Sequence, residues 1–72
     1  MYARIFRRAD HTRRFTITSG ATGPGWEVSD EQDSRVVWHA TYTDWHRVER
    51  AQRHFAREAA QLAHAGWEEA GR

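Results

Sequence analysis

Along the chain, apolar and polar positions follow two different periods. Phe15 and Ile17 alternate with Arg14, Thr16 and Thr18, the period-two pattern of a strand with one buried face. Strands are expected over 2–7, 13–18, 26–29 and 35–42, the first alternating less regularly than the second. In 35–42, Val36, Trp38, Ala40 and Tyr42 fall on one face and Val37, His39 and Thr41 on the other. Short polar connections at 9–12 and 30–34 and the Gly-rich loop 19–25, which holds the only proline, separate the strands. After residue 43 the period lengthens. Trp45, Val48, Gln52, Phe55, Ala59, Leu62 and Gly66 recur at three- and four-residue steps and predict a helix over 44–65. Thr43 is the expected N-cap, with Asp44 complementing the positive end of the helix dipole. Gly66 is the expected terminator, with Trp67 folding back on the last turn.

Sequential strands usually pair, so these elements assemble into an antiparallel three- to four-stranded β-meander packed against one long C-terminal amphipathic helix. The class is α+β, and residues 1–72 form a single domain. A helix of about 22 residues is roughly 33 Å long and must bury its stripe along the sheet. The expected core is Phe15, Ile17, Trp26, Val28, Val36, Trp38, Tyr42, Trp45, Val48, Phe55 and Leu62, and the chain's four tryptophans supply much of the apolar area that a small core needs.

A chain of 72 residues has room for one core only. It has no cysteine, which removes disulfides, thiolate metal sites and thiol nucleophiles, and favours a reducing, cytoplasmic home. No apolar run approaches the roughly 20 residues needed to span a bilayer, so a soluble protein with no membrane association is expected. Arginine is present and lysine is not, the composition expected of a GC-rich genome. The net charge of +1 hides an uneven distribution. Residues 1–25 carry Arg4, Arg7, Arg8, Arg13 and Arg14 against Asp10, whereas 26–45 carry five acids against Arg35.

Two clusters are candidates for contact with a partner. Arg50, Arg53 and Arg57 lie opposite the apolar stripe of the helix, beside His46, Gln61 and His64, and guanidinium groups at successive turns suit phosphates. The plain reading is a solvated face, in which Glu49 pairs with Arg53 at i,i+4. Arg4, Arg7, Arg8, Arg13 and Arg14, on adjacent strands, would form a basic patch on the sheet face away from the helix, with Tyr2 or Phe6 as its exposed aromatics. The plain reading there is cross-strand pairing with Glu27. The five histidines show no i,i+4 pair, and without cysteine or HExxH no metal site is expected. There is no GxSxG, no P-loop ending and no carboxylate pair set for catalysis, so neither an enzyme, a cofactor nor a small-molecule substrate is implied.

From Arg14 to Trp67 the chain resembles a small bacterial family of β-meander-plus-helix proteins, through Gly25-Trp26-Glu27-Val28, Asp44-Trp45-His46-Arg47-Val48-Glu49-Arg50-Ala51, Phe55 and Gly66-Trp67. That resemblance implies no activity. Trp45-His46-Arg47 and Gly66-Trp67 also echo the WGR domain, a nucleic-acid-associated module, but His replaces its Gly and the motif opens a helix rather than lying in a strand. No functional residue carries over. Two readings result: a non-catalytic protein-interaction module, with self-association as a homodimer among its forms, and a nucleic-acid-binding module using either arginine cluster.

Overall fold

The computed structural model describes residues 2–20 and 23–70, so Ala21 and Thr22 of the expected loop lie outside it. The elements are β1 (Tyr2–Arg8), β2 (His11–Ser19), β3 (Trp26–Gln32), β4 (Arg35–Tyr42), α1 (Trp45–His64) and β5 (Glu68–Ala70). The fold is α+β, a five-stranded antiparallel sheet in the order β4-β3-β2-β1-β5 with the helix on one face. The first four strands form the expected meander. The fifth was not foreseen: three residues rich in glutamate carry no strand signal of their own, and only pairing with β1 makes them one. β5 runs in the same direction as β4, so α1 crosses the sheet from one edge to the other.

Cross-strand register sorts the side chains. Tyr2, Phe6, Phe15, Ile17 and Val28 share the helix-side face with Trp26, Trp38 and Tyr42, while Ile5, Arg14, Thr16, Ser29 and Glu31 share the opposite face. The buried core is Phe6, Phe15, Ile17, Val28, Val48, Ala51, Phe55 and Ala59, with Tyr2, Trp26, Tyr42, Leu62 and Trp67 packed around it. Phe55 is its centre. Its ring stacks on Phe15 at 4.8 Å and on Tyr2 at 6.2 Å, and Trp38 meets it edge-on at 6.4 Å.

Several expectations are corrected. Phe6 is fully buried, not an exposed aromatic, because its place in register puts it over the core beside Phe15. Val36 was expected in the core but is 59% exposed. The register slips between Asp30 and Glu31, leaving Val37 without a partner, so Val36 pairs with Glu31 and Trp38 with Asp30. Such a bulge reverses the alternation. Val36 therefore turns to the face away from the helix, while Trp38, at the sheet edge, is covered on one side only. Trp45 also stays half exposed, resting on Trp26 at 5.1 Å. On the helix, Ala51 rather than Gln52 enters the core, which shifts the buried stripe to Val48-Ala51-Phe55-Ala59.

The helix ends are built from local chemistry. Asp44, not Thr43, is the N-cap; its Oδ1 accepts the His46 N–H at 2.9 Å. At the other end Gly66, at φ 94°, follows the C-cap Ala65. The Gly66 N–H donates to the Ala63 carbonyl and the Trp67 N–H to that of Leu62, the two bonds of a Schellman motif. That reversal swings Trp67 onto the core and launches β5 alongside β1.

Gly25 is required for a different reason. Its φ is 116°, and a Cβ there would sit 2.6 Å from the Tyr42 carbonyl oxygen, where β3 begins beside the end of β4. Left-handed backbone alone costs a non-glycine residue roughly 1–2 kcal/mol. We expect Gly25→Ala to lower the Tm by roughly 10 °C. Gly23→Ala, with nothing within 4 Å of its Cβ, should leave the Tm near wild type in the same thermal melt.

Candidate functional site

The two arginine clusters meet different fates in the fold. The hairpin cluster is divided between the two faces of the sheet, because residues at odd spacings on a strand point opposite ways. Arg4 and Arg13 share the helix-side face with Phe6 and Phe15, whereas Arg7 and Arg14 lie on the other face. The continuous patch expected on the far face is therefore not formed.

Arg4 and Arg13 are also occupied. Arg4 grips Glu69 through two bonds, Nε to Oε2 at 2.9 Å and a terminal nitrogen to Oε1 at 2.7 Å, and so ties β1 to β5 across 65 residues of sequence. The Glu69 hydrogen bond pushes the Arg4 pKa further up, so this side chain stays cationic at any accessible pH. Arg13 donates to both oxygens of Asp30 at 3.0 and 3.3 Å, a diagonal pair between β2 and β3. Both of these side chains are largely buried, at 15% and 13% exposure. Each guanidinium also lies over a core ring, Arg4 5.2 Å from Phe6 and Arg13 5.0 Å from Phe15. They roof the core. Arg14 approaches Glu31 at 3.9 Å, and Arg7 lines a shallow depression with Arg14, Glu31, Ile5, Thr12 and Ser34. The acids that meet the hairpin arginines are thus Asp30, Glu31 and Glu69, not the expected Glu27.

The helix cluster remains open. Arg50, Arg53 and Arg57 are exposed, and Arg47, which sequence reasoning left out, joins them one turn earlier. The expected Glu49–Arg53 pair is replaced by Glu49 with His46 at 3.6 Å, and Glu58 lies near His54 at 3.8 Å. Among the described residues no acid lies within ion-pair range of Arg47, Arg50, Arg53 or Arg57. Arg47 and Arg50 wall a depression of about 340 Å³ whose other lining residues are Tyr42 and Ala51.

The second open feature is the edge of the sheet. β4 is the outermost strand on its side, six of its eight residues are exposed, and Val36, Val37 and Trp38 expose 59%, 51% and 42% of their surface there. The opposite edge, β5, is three residues long. Strict alternation along 35–42 predicts Val36 and Trp38 inside. No local signal marked Val37 as a bulge, and only the pairing with β3 reveals it.

At the turn end of the sheet, Asp33 joins the two hairpins. Its carboxylate accepts the Thr12 N–H at 2.9 Å and meets His11 Nδ1 at 3.2 Å, while its own N–H donates to the Thr12 carbonyl at 3.0 Å. The Thr12 bond first, and then His11, hold the Asp33 carboxyl below the usual carboxylate range. Among the described residues no group of three or more His, Asp or Glu side chains gathers to hold a metal, and no helix is long and apolar enough to cross a membrane. Comparison of the chain with protein-family models, curated proteins and solved structures finds no match.

Two predictions follow from the ion pairs. Asp30→Ala strands a largely buried guanidinium and should cost about 2 kcal/mol, whereas Glu69→Ala, at a half-exposed pair, should cost at most about 1 kcal/mol; urea unfolding measures both. A depressed carboxyl stabilises the fold above its unfolded pKa and loses that contribution as pH falls through its folded value. Between roughly pH 4 and pH 2, Asp33→Asn should therefore lose less stability than the wild type in an acid titration followed by circular dichroism.

Proposed function

We propose that this domain is a non-catalytic protein-interaction module that self-associates through the edge of β4. The observation that carries the reading is an eight-residue edge strand with an open hydrogen-bonding side and three consecutive large apolar residues at the surface. Unpaired edge strands are templates for pairing, and proteins that keep such an edge solitary commonly shorten it or stud it with charge. β4 carries only Arg35 and His39 as titratable groups besides Tyr42.

The stretch from Trp38 to Tyr42, beyond the bulge, is regular enough to supply the ladder. Antiparallel pairing of identical strands about a two-fold axis normal to the sheet is isologous, so each contact occurs twice. An axis at Ala40 would set Trp38 against the second copy's Tyr42 on the helix-side face, an aromatic cross-strand pair made in both directions. It would set His39 against the second copy's Thr41 on the other face. The smallest residue of the stretch then stands where the two chains meet.

Sedimentation velocity from low micromolar to near millimolar concentration should show a dimer that forms as concentration rises and responds weakly to salt. Val36→Lys with Val37→Lys, both at exposed positions, should give a folded monomer whose stability lies within about 0.5 kcal/mol of wild type. The chain has no cysteine, so Ala40→Cys is a clean probe. Paired Cα atoms at such an axis lie about 4.5–5.5 Å apart, within disulfide reach. Mild oxidation should join the Ala40→Cys chains pairwise. A wild-type monomer at every concentration refutes the reading, and a dimer that Ala40→Cys does not cross-link refutes the register.

A further inference from the structure

We infer that the outward face of α1 is a docking surface for the phosphate backbone of double-stranded nucleic acid, with Arg47, Arg50, Arg53 and Arg57 as its contacts. This surface exists in a single copy and does not depend on the β4 edge.

The fold treats its arginines unequally. Arg4, Arg13 and Arg14 each have an acid within 4 Å. Among the described residues Arg7, Arg8 and Arg35 have none but are dispersed over the sheet, whereas the four on the helix have none and stand together on one element, its two acids lying beside histidines instead. Four guanidiniums are thus left exposed along eleven residues of helix. Positions 47 to 57 span about 15 Å of helix axis. A duplex presents roughly nine phosphate charges over that length. A guanidinium offers paired donors to one phosphate, and the depression between Arg47 and Arg50, with Tyr42 at its side, is a place where two of them can converge on a single phosphate.

The same face tells against other polyanions. Its other side chains, His46, His54, Ala60, Gln61 and His64, include no Trp, Tyr or Phe, so apart from Tyr42 at one end it lacks the large rings on which a single strand stacks its bases. A membrane-surface helix must free its apolar side for the lipid, but here Val48, Ala51, Phe55 and Ala59 are buried against the sheet. An acidic protein partner would be anchored by large apolar or aromatic contacts at the centre of the interface, and between Arg50, Arg53 and Arg57 no large apolar side chain stands on this face. What remains is backbone contact without base readout, so binding should be insensitive to sequence and steeply dependent on salt.

The test is fluorescence anisotropy of the whole chain with a labelled 20-base-pair DNA duplex, the matching single strand, and vesicles containing anionic lipid, at about 50 and 200 mM salt. Four phosphate contacts predict a loss of duplex affinity of roughly 100-fold between those salts. Arg50→Gln, Arg53→Gln and Arg57→Gln combined should abolish measurable duplex binding while circular dichroism stays unchanged. Arg7→Gln with Arg14→Gln, on the sheet face, should leave it intact. Failure of the duplex to bind at 50 mM, a preference for the single strand or for vesicles, or binding that survives the triple change would each overturn the inference. A Val36→Gln, Val37→Gln variant, which adds no positive charge, separates the two surfaces: duplex binding by its monomer upholds the helix face whatever becomes of the dimer, and loss of binding while its fold is intact overturns the single-copy surface.

Discussion

The stacking of Phe55 on Phe15 is the contact on which this small structure depends. A 20-residue helix lies across the sheet, and its middle is held there by an aromatic column in which Phe55 reaches down to Phe15, flanked by Tyr2 and Trp38, while Trp45 at its start rests on Trp26. Fully burying a phenylalanine contributes up to about 3 kcal/mol, and Phe6, Phe15 and Phe55 are all buried completely or nearly so. In a domain this size such terms are a large share of net stability.

The ion pairs serve this core more than they serve any ligand. Arg4 and Arg13 stand at its margin, each laid over a phenylalanine and each held by an acid from a neighbouring strand. Arg4 with Glu69 also closes the sheet on the β1 side, and the Schellman turn at Gly66 is what brings Glu69 there. A short C-terminal strand with little propensity of its own is thus held by a glycine reversal, a tryptophan against the core and one bidentate pair. The other margin of the sheet has no equivalent closure. β4 keeps an open edge and an apolar surface, and the helix above it keeps its arginines unmatched. The two surfaces proposed for function are thus a long open strand edge and a row of arginines without an acid partner among the described residues.

The sequence by itself determined what local pattern and local chemistry can encode. Phe15 and Ile17 alternating with polar residues define β2; the three- and four-residue recurrence through Val48, Phe55 and Ala59 defines the helix; Gly66 and Trp67 define its end. The solvent face carrying Arg50, Arg53 and Arg57 was legible for the same reason, since a helix with one apolar stripe has only one opposite side. Tertiary structure decided everything that depends on a partner distant in the chain. β5 exists because β1 offers it a ladder. Phe6 is buried and the hairpin arginines are parted because the β1–β2 register assigns alternate residues to opposite faces. Val36 is outside because one slipped residue pair, Asp30 and Glu31 against β4, turns the strand over. No residue near those positions announces such outcomes, because cross-strand pairing is a relation between two segments and neither segment contains it alone.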